Sequence, residues 1–255
     1  MPHIERDGVN VYFEATGSGP AILLSHGYGA TSRMWRGQVA ALSDRYRVVA
    51  WDMRGHGESD SPDDPALYSE AATVEDMAAI LDRAGASKAV VGGLSLGGYM
   101  SLAFYLAHPE RVHALMLFDT GPGYRSAGAR AGWNEMAERR ASGLEAEGFA
   151  ALQSAGQEVR TSVHRSAAGL ARAARGMLAQ FDARVIDALP RIAVPVLVLV
   201  GHRDQPFLAA TDYMAAKIPN ATRVVIEDAG HASNLDQPAA FNAAVEAFLA
   251  RLGSW

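Results

Sequence analysis

Apolar residues arrive along this chain in two rhythms. Short unbroken runs, "VNVYFEA" (9–15), "AILLSHG" (21–27), "YRVVAWD" (46–52), "AVVGGLS" (89–95) and "ALMLFDT" (114–120), are rich in β-branched, aromatic and aliphatic residues. Several lack polar alternation, as strands covered on both faces do. Between them the spacing becomes helical. Val74, Met77, Ile80, Leu81 and Ala84 fall on one face, and Leu96 to Ala107 reads as a helix ended by His108-Pro109. Strand then helix, repeated, predicts an α/β chain with a mostly parallel, doubly wound sheet.

The same order returns in "VPVLVLVG" (194–201) and "TRVVIED" (222–228), before a terminal helix with Phe241, Val245, Phe248, Leu249 and Leu252 on one side. One sheet is therefore expected to span both halves. The interval 121–189 breaks the rhythm: it opens with "GPGYR", is rich in Ala, Arg and Glu, and holds no strand-like run. A mainly helical insertion is expected there, projecting from the sheet as a lid. That divides the chain into a core of residues 1–120 and 190–255 and a lid of residues 121–189, with no internal repeat.

At 255 residues the chain is long enough for one large domain, and 49% hydrophobic against 20% charged residues speaks against disorder. The balance of 23 Lys and Arg to 28 Asp and Glu, net −5, leaves no basic footprint for nucleic acid or an anionic membrane. Zero cysteines exclude a disulfide framework, a thiolate nucleophile and a zinc-thiolate site. The first residues, "MPHIERDGVN", lack the apolar segment of a secretion signal, and no apolar stretch approaches spanning length. A cytoplasmic protein with a small-molecule partner is the expectation. The oligomeric state is not legible.

The candidate chemistry lies in "VVGGLSLGGYM" (90–100), where Ser95 stands between two pairs of glycines as a strand turns into a helix. Gly93-Leu94-Ser95-Leu96-Gly97 fits G-x-S-x-G, a strained turn that exposes a serine hydroxyl. A phosphate loop would need Lys then Ser or Thr after Gly98, where Tyr99-Met100 follow, and a G-x-G-x-x-G dinucleotide fingerprint is absent. No cofactor and no metal is implied.

A serine hydroxyl needs a base, and the base needs an orienting acid. Of the eight histidines, His231 in "EDAGHASNLDQP" follows a strand and precedes the last helix. Asp204 in "VGHRDQPF" follows the strand 194–200, giving the chain order Ser95, Asp204, His231. Asp119, just after the strand 114–118, competes for the acid role, and Asp228 reads as a loop cap. A developing oxyanion would be met by the backbone N–H of Leu96, at the start of its helix, and by that of Tyr28 in "SHGYG" (25–29). His26-Gly27 also fits an ordinary turn.

Taken together these motifs resemble the α/β-hydrolase superfamily, in its serine-nucleophile branch with a helical cap. "HGYG" resembles the oxyanion loop of that family, "DMRGHGES" (52–59) a bracing loop, "GLSLGG" the nucleophile elbow, "GHRD" the acid loop and "AGHASNLDQP" the histidine loop. The match covers residues 20–120 and 190–252. It implies the α/β-hydrolase fold with an inserted lid, and structural roles for Asp52, Arg54, His56 and Ser59.

Ser95 argues against haloalkane dehalogenases and most epoxide hydrolases, which carry aspartate at the elbow. The elbow helix is most similar to carboxylesterases and 3-oxoadipate enol-lactonases. Many C–C bond hydrolases have Asn where this chain has Leu94, so that reading ranks lower. The resemblance thus implies a carboxylic ester hydrolase that uses water on a small ester or lactone; the alternatives are an enol-lactonase, a C–C hydrolase, or a small-molecule receptor on the same fold. Trp133, Met136, Leu144, Phe149, Met177 and Phe181 are candidate pocket residues of the lid, with Tyr28 and Phe207 at the rim. Each also fits the lid's own buried face.

Overall fold

In a computed structural model, which describes residues 3–253, eight strands form one sheet. They are β1 (His3–Arg6), β2 (Val9–Thr16), β3 (Ala21–Ser25), β4 (Arg47–Trp51), β5 (Ala89–Leu94), β6 (Val112–Phe118), β7 (Val196–Gly201) and β8 (Ala221–Ile226). The spatial order is β1-β2-β4-β3-β5-β6-β7-β8. β1–β2 and β2–β4 pair antiparallel, and every later neighbour is parallel. The four-residue β1, too short to show a rhythm, is the strand that the pattern does not reveal.

The central strands β3, β5 and β7 are buried at every position, which is why their sequences read as continuous apolar runs. The helices are α1 (Arg36–Leu42), α2 (Glu70–Arg83), α3 (Leu96–Ala107), α4 (Ala127–Glu147), α5 (Gln157–Arg160), α6 (Ala167–Ala173), α7 (Arg184–Ala188), α8 (Gln205–Lys217), α9 (Ser233–Asp236) and α10 (Pro238–Arg251). One apolar layer joins Leu23, Val91 and Leu117 to α2 and α3, and the other joins Ile22, Val90 and Leu197 to Trp35 and α10.

Between β6 and β7 the described chain is helical, from α4 to α7. A single π-helical turn, Ala174–Leu178, continues α6. Its residues Met177 and Leu178, with Leu144 and Leu170, belong to the same apolar layer as Met77, Tyr99 and Met100.

Every predicted strand exists, but several ladders stop earlier than the apolar runs. β3 ends at Ser25, β4 at Trp51, β5 at Leu94 and β6 at Phe118. The next residues, His26, Asp52, Ser95 and Asp119, have left the ladder and line up at the carboxyl edge of the parallel strands, where open α/β sheets collect their functional groups.

Candidate active site

The serine turn is tight because two glycines meet across it. A Cβ at Gly97 would lie 2.2 Å from the Ser25 carbonyl oxygen, and one at Gly93 would lie 2.5 Å from the Gly97 carbonyl carbon. Neither position admits a side chain. Ser95 itself has φ +55° and ψ −116°, a region costly for any residue with a Cβ. The turn is held by the Ser95 N–H donating to Phe118 O (2.9 Å), and by Gly98 N–H, Tyr99 N–H and Thr120 Oγ1 donating to the Ser95 carbonyl at 3.0, 3.1 and 2.6 Å. Leu96 opens α3, so its N–H has no intrahelical acceptor and sits at the positive end of the helix dipole.

The loop after β3 lies against this turn: a Cβ at Gly27 would be 3.5 Å from Ser95 Cβ. Its conformation is set by His26, which is fully buried. His26 Nε2 accepts the Met53 N–H at 2.9 Å, so the ring is neutral and its Nδ1–H donates to Gly27 O at 2.7 Å. Burial lowers the pKa of this imidazole and keeps it in that form. Tyr28 is anchored through its hydroxyl to Leu170 O at 2.8 Å, and the Arg140 guanidinium stands 5.8 Å above its ring.

His231 and Asp204 meet although 27 residues separate them. His231 Nδ1 lies 2.7 Å from Asp204 Oδ2, and Phe207 stacks on the imidazole with ring centroids 5.0 Å apart. Burial acts to lower the His231 pKa, but the hydrogen bond and charge of Asp204, helped by Asp119 and Glu158, outweigh it and raise the value. Asp119 is placed differently. Its carboxyl accepts the Gly201 N–H at 2.7 Å and the Ser233 hydroxyl, tying β6 to β7 and to the start of α9, with no bond to His231. Asp228 is exposed and ion-paired to Arg203.

Ser95 opens onto a cavity with two arms. The smaller, about 310 Å³, runs past Leu96, Tyr99, Thr120, Ile186 and Tyr213; the larger, about 810 Å³, is lined by Gly27, Tyr28, Glu158 and His231. Ser95, Trp133, Leu178 and Phe207 border both arms. Of the remaining pocket candidates, Met136 and Leu144 line the larger arm. Met177, Phe149 and Phe181 line neither. Met177 is buried in the apolar layer beneath, Phe149 stacks on His164 at the surface, and Phe181 points to solvent at 72% exposure.

Tyr99 was within reach of sequence reasoning, since it lies one helical turn beyond Ser95. Leu178 and Glu158 carry no such signal. Among the described residues no group of His, Asp or Glu is arranged to hold a metal ion, and no helix is long and apolar enough to cross a membrane.

The chain and its fold are similar to those of known proteins. A family model described as the alpha/beta hydrolase family matches residues 22–244. The chain is 32% identical over 244 residues to 3-oxoadipate enol-lactonase 2 of Acinetobacter baylyi, covering 91% of this chain and 89% of that protein. It is likewise 32% identical over 263 residues to the pimeloyl-[acyl-carrier protein] methyl ester esterase of Aeromonas hydrophila, covering 94% of this chain and all of that one. The solved structure of a thermophilic esterase from Thermogutta terrifontis, with malate bound, superposes with a TM-score of 0.86 at 30% identity over the full length of both chains.

Proposed function

The chain belongs to the alpha/beta hydrolase family, and from that premise we propose that it is a serine hydrolase cleaving small to medium carboxylic esters through an acyl-enzyme on Ser95. The observation that carries this reading is the Asp204–His231 hydrogen bond of 2.7 Å, whose imidazole lines the same cavity as a serine held on a strained, glycine-walled turn.

In this reading the His231 Nδ1–H donates to Asp204, which leaves Nε2 to take the Ser95 proton as Oγ attacks the ester carbonyl. The tetrahedral oxyanion is met by the N–H groups of Tyr28 and Leu96. Collapse expels the alkoxide, which receives the proton from His231. Water, deprotonated by the same imidazole, then attacks the acyl carbon and frees Ser95 and a carboxylic acid. Residues 121–189 act as the lid and the rest as the core, since the helical stretch supplies Trp133 and Leu178 to both arms.

A second reading, hydrolysis of an anionic enol-lactone, draws on Arg139 and Arg140, which also line the larger arm. The relatives include both activities, an esterase and an enol-lactonase.

A fluorophosphonate is expected to label Ser95 stoichiometrically and to leave Ser95→Ala unlabelled; equal labelling of the variant would remove the mechanism. The substrate is decided by kcat/KM for p-nitrophenyl acetate through octanoate against an anionic enol-lactone, with no metal added. A lactone preference above about a hundredfold, roughly 2.7 kcal/mol of transition-state discrimination, transfers the assignment to the second reading. Absence of turnover on every ester and lactone would favour a receptor.

A further inference from the structure

Glu158, on α5, takes no part in the chemistry described above. It is 7% exposed, yet it lines the larger arm with Ser95 and His231. Among the described residues no hydrogen-bond donor or cation is paired with its carboxylate; the Ser162 hydroxyl donates to its backbone carbonyl instead, at 2.7 Å. Its carboxylate oxygens stay open to the cavity and, being acceptors only, can take a hydrogen bond from whatever enters it.

The segment that carries the carboxylate is anchored to the loop beside the serine. Val159, next in the chain, packs on that loop, with Cγ1 3.2 Å from where a Gly29 Cβ would be. Ser162 lies 3.4 Å from Thr31 Oγ1 on the same loop. Gly156 leaves the carboxylate its room, since a Cβ there would fall 2.4 Å from both carboxylate oxygens.

Two further observations say which part of a substrate would reach it. His231 borders the larger arm and is absent from the lining of the smaller. The imidazole must hand its proton to the departing alkoxide, so the alcohol half leaves through the larger arm and the acyl half occupies the smaller. The charged residues lining the larger arm are Arg139, Arg140, Glu147 and Glu158, two of each sign. An ionic alcohol would meet a like charge there as well as an opposite one. A neutral hydroxyl donates to a carboxylate and accepts from a guanidinium, and so suits both.

We propose that Glu158 is a specificity-determining residue that accepts a hydrogen bond from a free hydroxyl on the leaving alcohol, so that the preferred substrates are esters of diols and polyols. This rests on the ester-hydrolase reading above.

The test is kcat/KM for 2-hydroxyethyl butanoate against propyl butanoate, which replaces the hydroxyl by a methyl group, in wild type, Glu158→Gln and Glu158→Leu. Wild type is expected to favour the hydroxyethyl ester by roughly tenfold to a hundredfold, the range for a hydrogen bond to a charged group. The ratio should fall severalfold in the isosteric Glu158→Gln and approach one or invert in Glu158→Leu. Because each ratio is taken within one protein, a general loss of turnover cancels; should the Leu variant not fold, the Gln variant alone decides. A wild-type ratio near one, or a preference that both variants keep, overturns the role of Glu158 and leaves ester hydrolysis standing. Failure of wild type to cleave either ester, or any p-nitrophenyl ester, overturns the reading beneath it.

Discussion

Asp204 and Asp119 both bear on the charge of His231, but one hydrogen bond separates them. Asp204 reaches Nδ1 and can hold the imidazole in the tautomer that frees Nε2; Asp119 spends both carboxyl oxygens on Gly201 and Ser233. Asp204→Asn is therefore expected to cost on the order of 10⁴ in kcat, and Asp119→Asn far less. Steady-state kinetics on one ester checks this, and the reverse order would move the acid to the end of β6.

Asp119 should instead declare itself in stability. Burial pushes its carboxyl from 3.8 up to about 7, against the lowering effect of its two hydrogen bonds. The folded protein thus favours the protonated acid: this contribution is complete below about pH 3.8 and is lost as pH rises to about 7, on the order of 4 kcal/mol. Asp119→Asn, which cannot ionise, should lose less stability than wild type between about pH 4 and 7. Melting curves of the two proteins that stay parallel over that window would contradict it.

The loop 52–59 joins three elements beneath the site. Asp52 accepts the N–H groups of Ser32 (2.6 Å) and Glu58 (2.8 Å), and Ser59 Oγ accepts the Tyr12 N–H from β2 (2.8 Å) while donating to Asp52 O (2.5 Å). Arg54 crosses to α2 and grips Asp76 with two bonds of 2.7 Å, both side chains being almost fully buried. Removing one member of a buried pair strands the other charge. Arg54→Met is expected to lose on the order of 3 kcal/mol, near the lower end for such pairs because Arg6 still bonds Asp76. That corresponds to roughly 6–12 °C in Tm. Arg54→Lys should recover only part, since a lysine cannot reproduce the two-pronged contact. A variant within 2 °C of wild type, about the effect of 1 kcal/mol, would show the pair to be dispensable.

The inserted helices share the molecule's main core. Leu144, Leu170 and Met177 pack in one apolar layer with Met77, Tyr99 and Met100, and Trp133 donates its indole N–H to Leu178 O at 2.8 Å. With no core of their own, these helices should not unfold alone. Far-ultraviolet circular dichroism and tryptophan fluorescence, which samples Trp133 between β6 and β7 together with Trp35, Trp51 and Trp255, are expected to trace a single coincident urea transition. Two resolved transitions would define the insertion as a separately folding unit.

The rhythm of apolar residues was enough to read seven of the eight strands, the helix Leu96–Ala107 to the residue, and the strand-free character of 121–189. Ser95, Asp204 and His231 were legible as candidates because each sits where a strand, or the loop just beyond one, gives way to a helix, and that punctuation is written locally in Gly, Pro and charged residues. These features depend on hydrogen bonds and side-chain spacing within one element, so a short window of sequence contains their cause. The partner of His231, the two arms of the cavity, the exclusion of Met177 and the burial of Glu158 were decided otherwise. They depend on the order in which strands pair and on how the helices between β6 and β7 pack against the rest of the chain. Asp204 and Asp119 follow neighbouring strands with the same chemistry, and only the packed structure sets which oxygen faces the imidazole. Such contacts join residues from 27 to well over 100 positions apart, and no local periodicity records them.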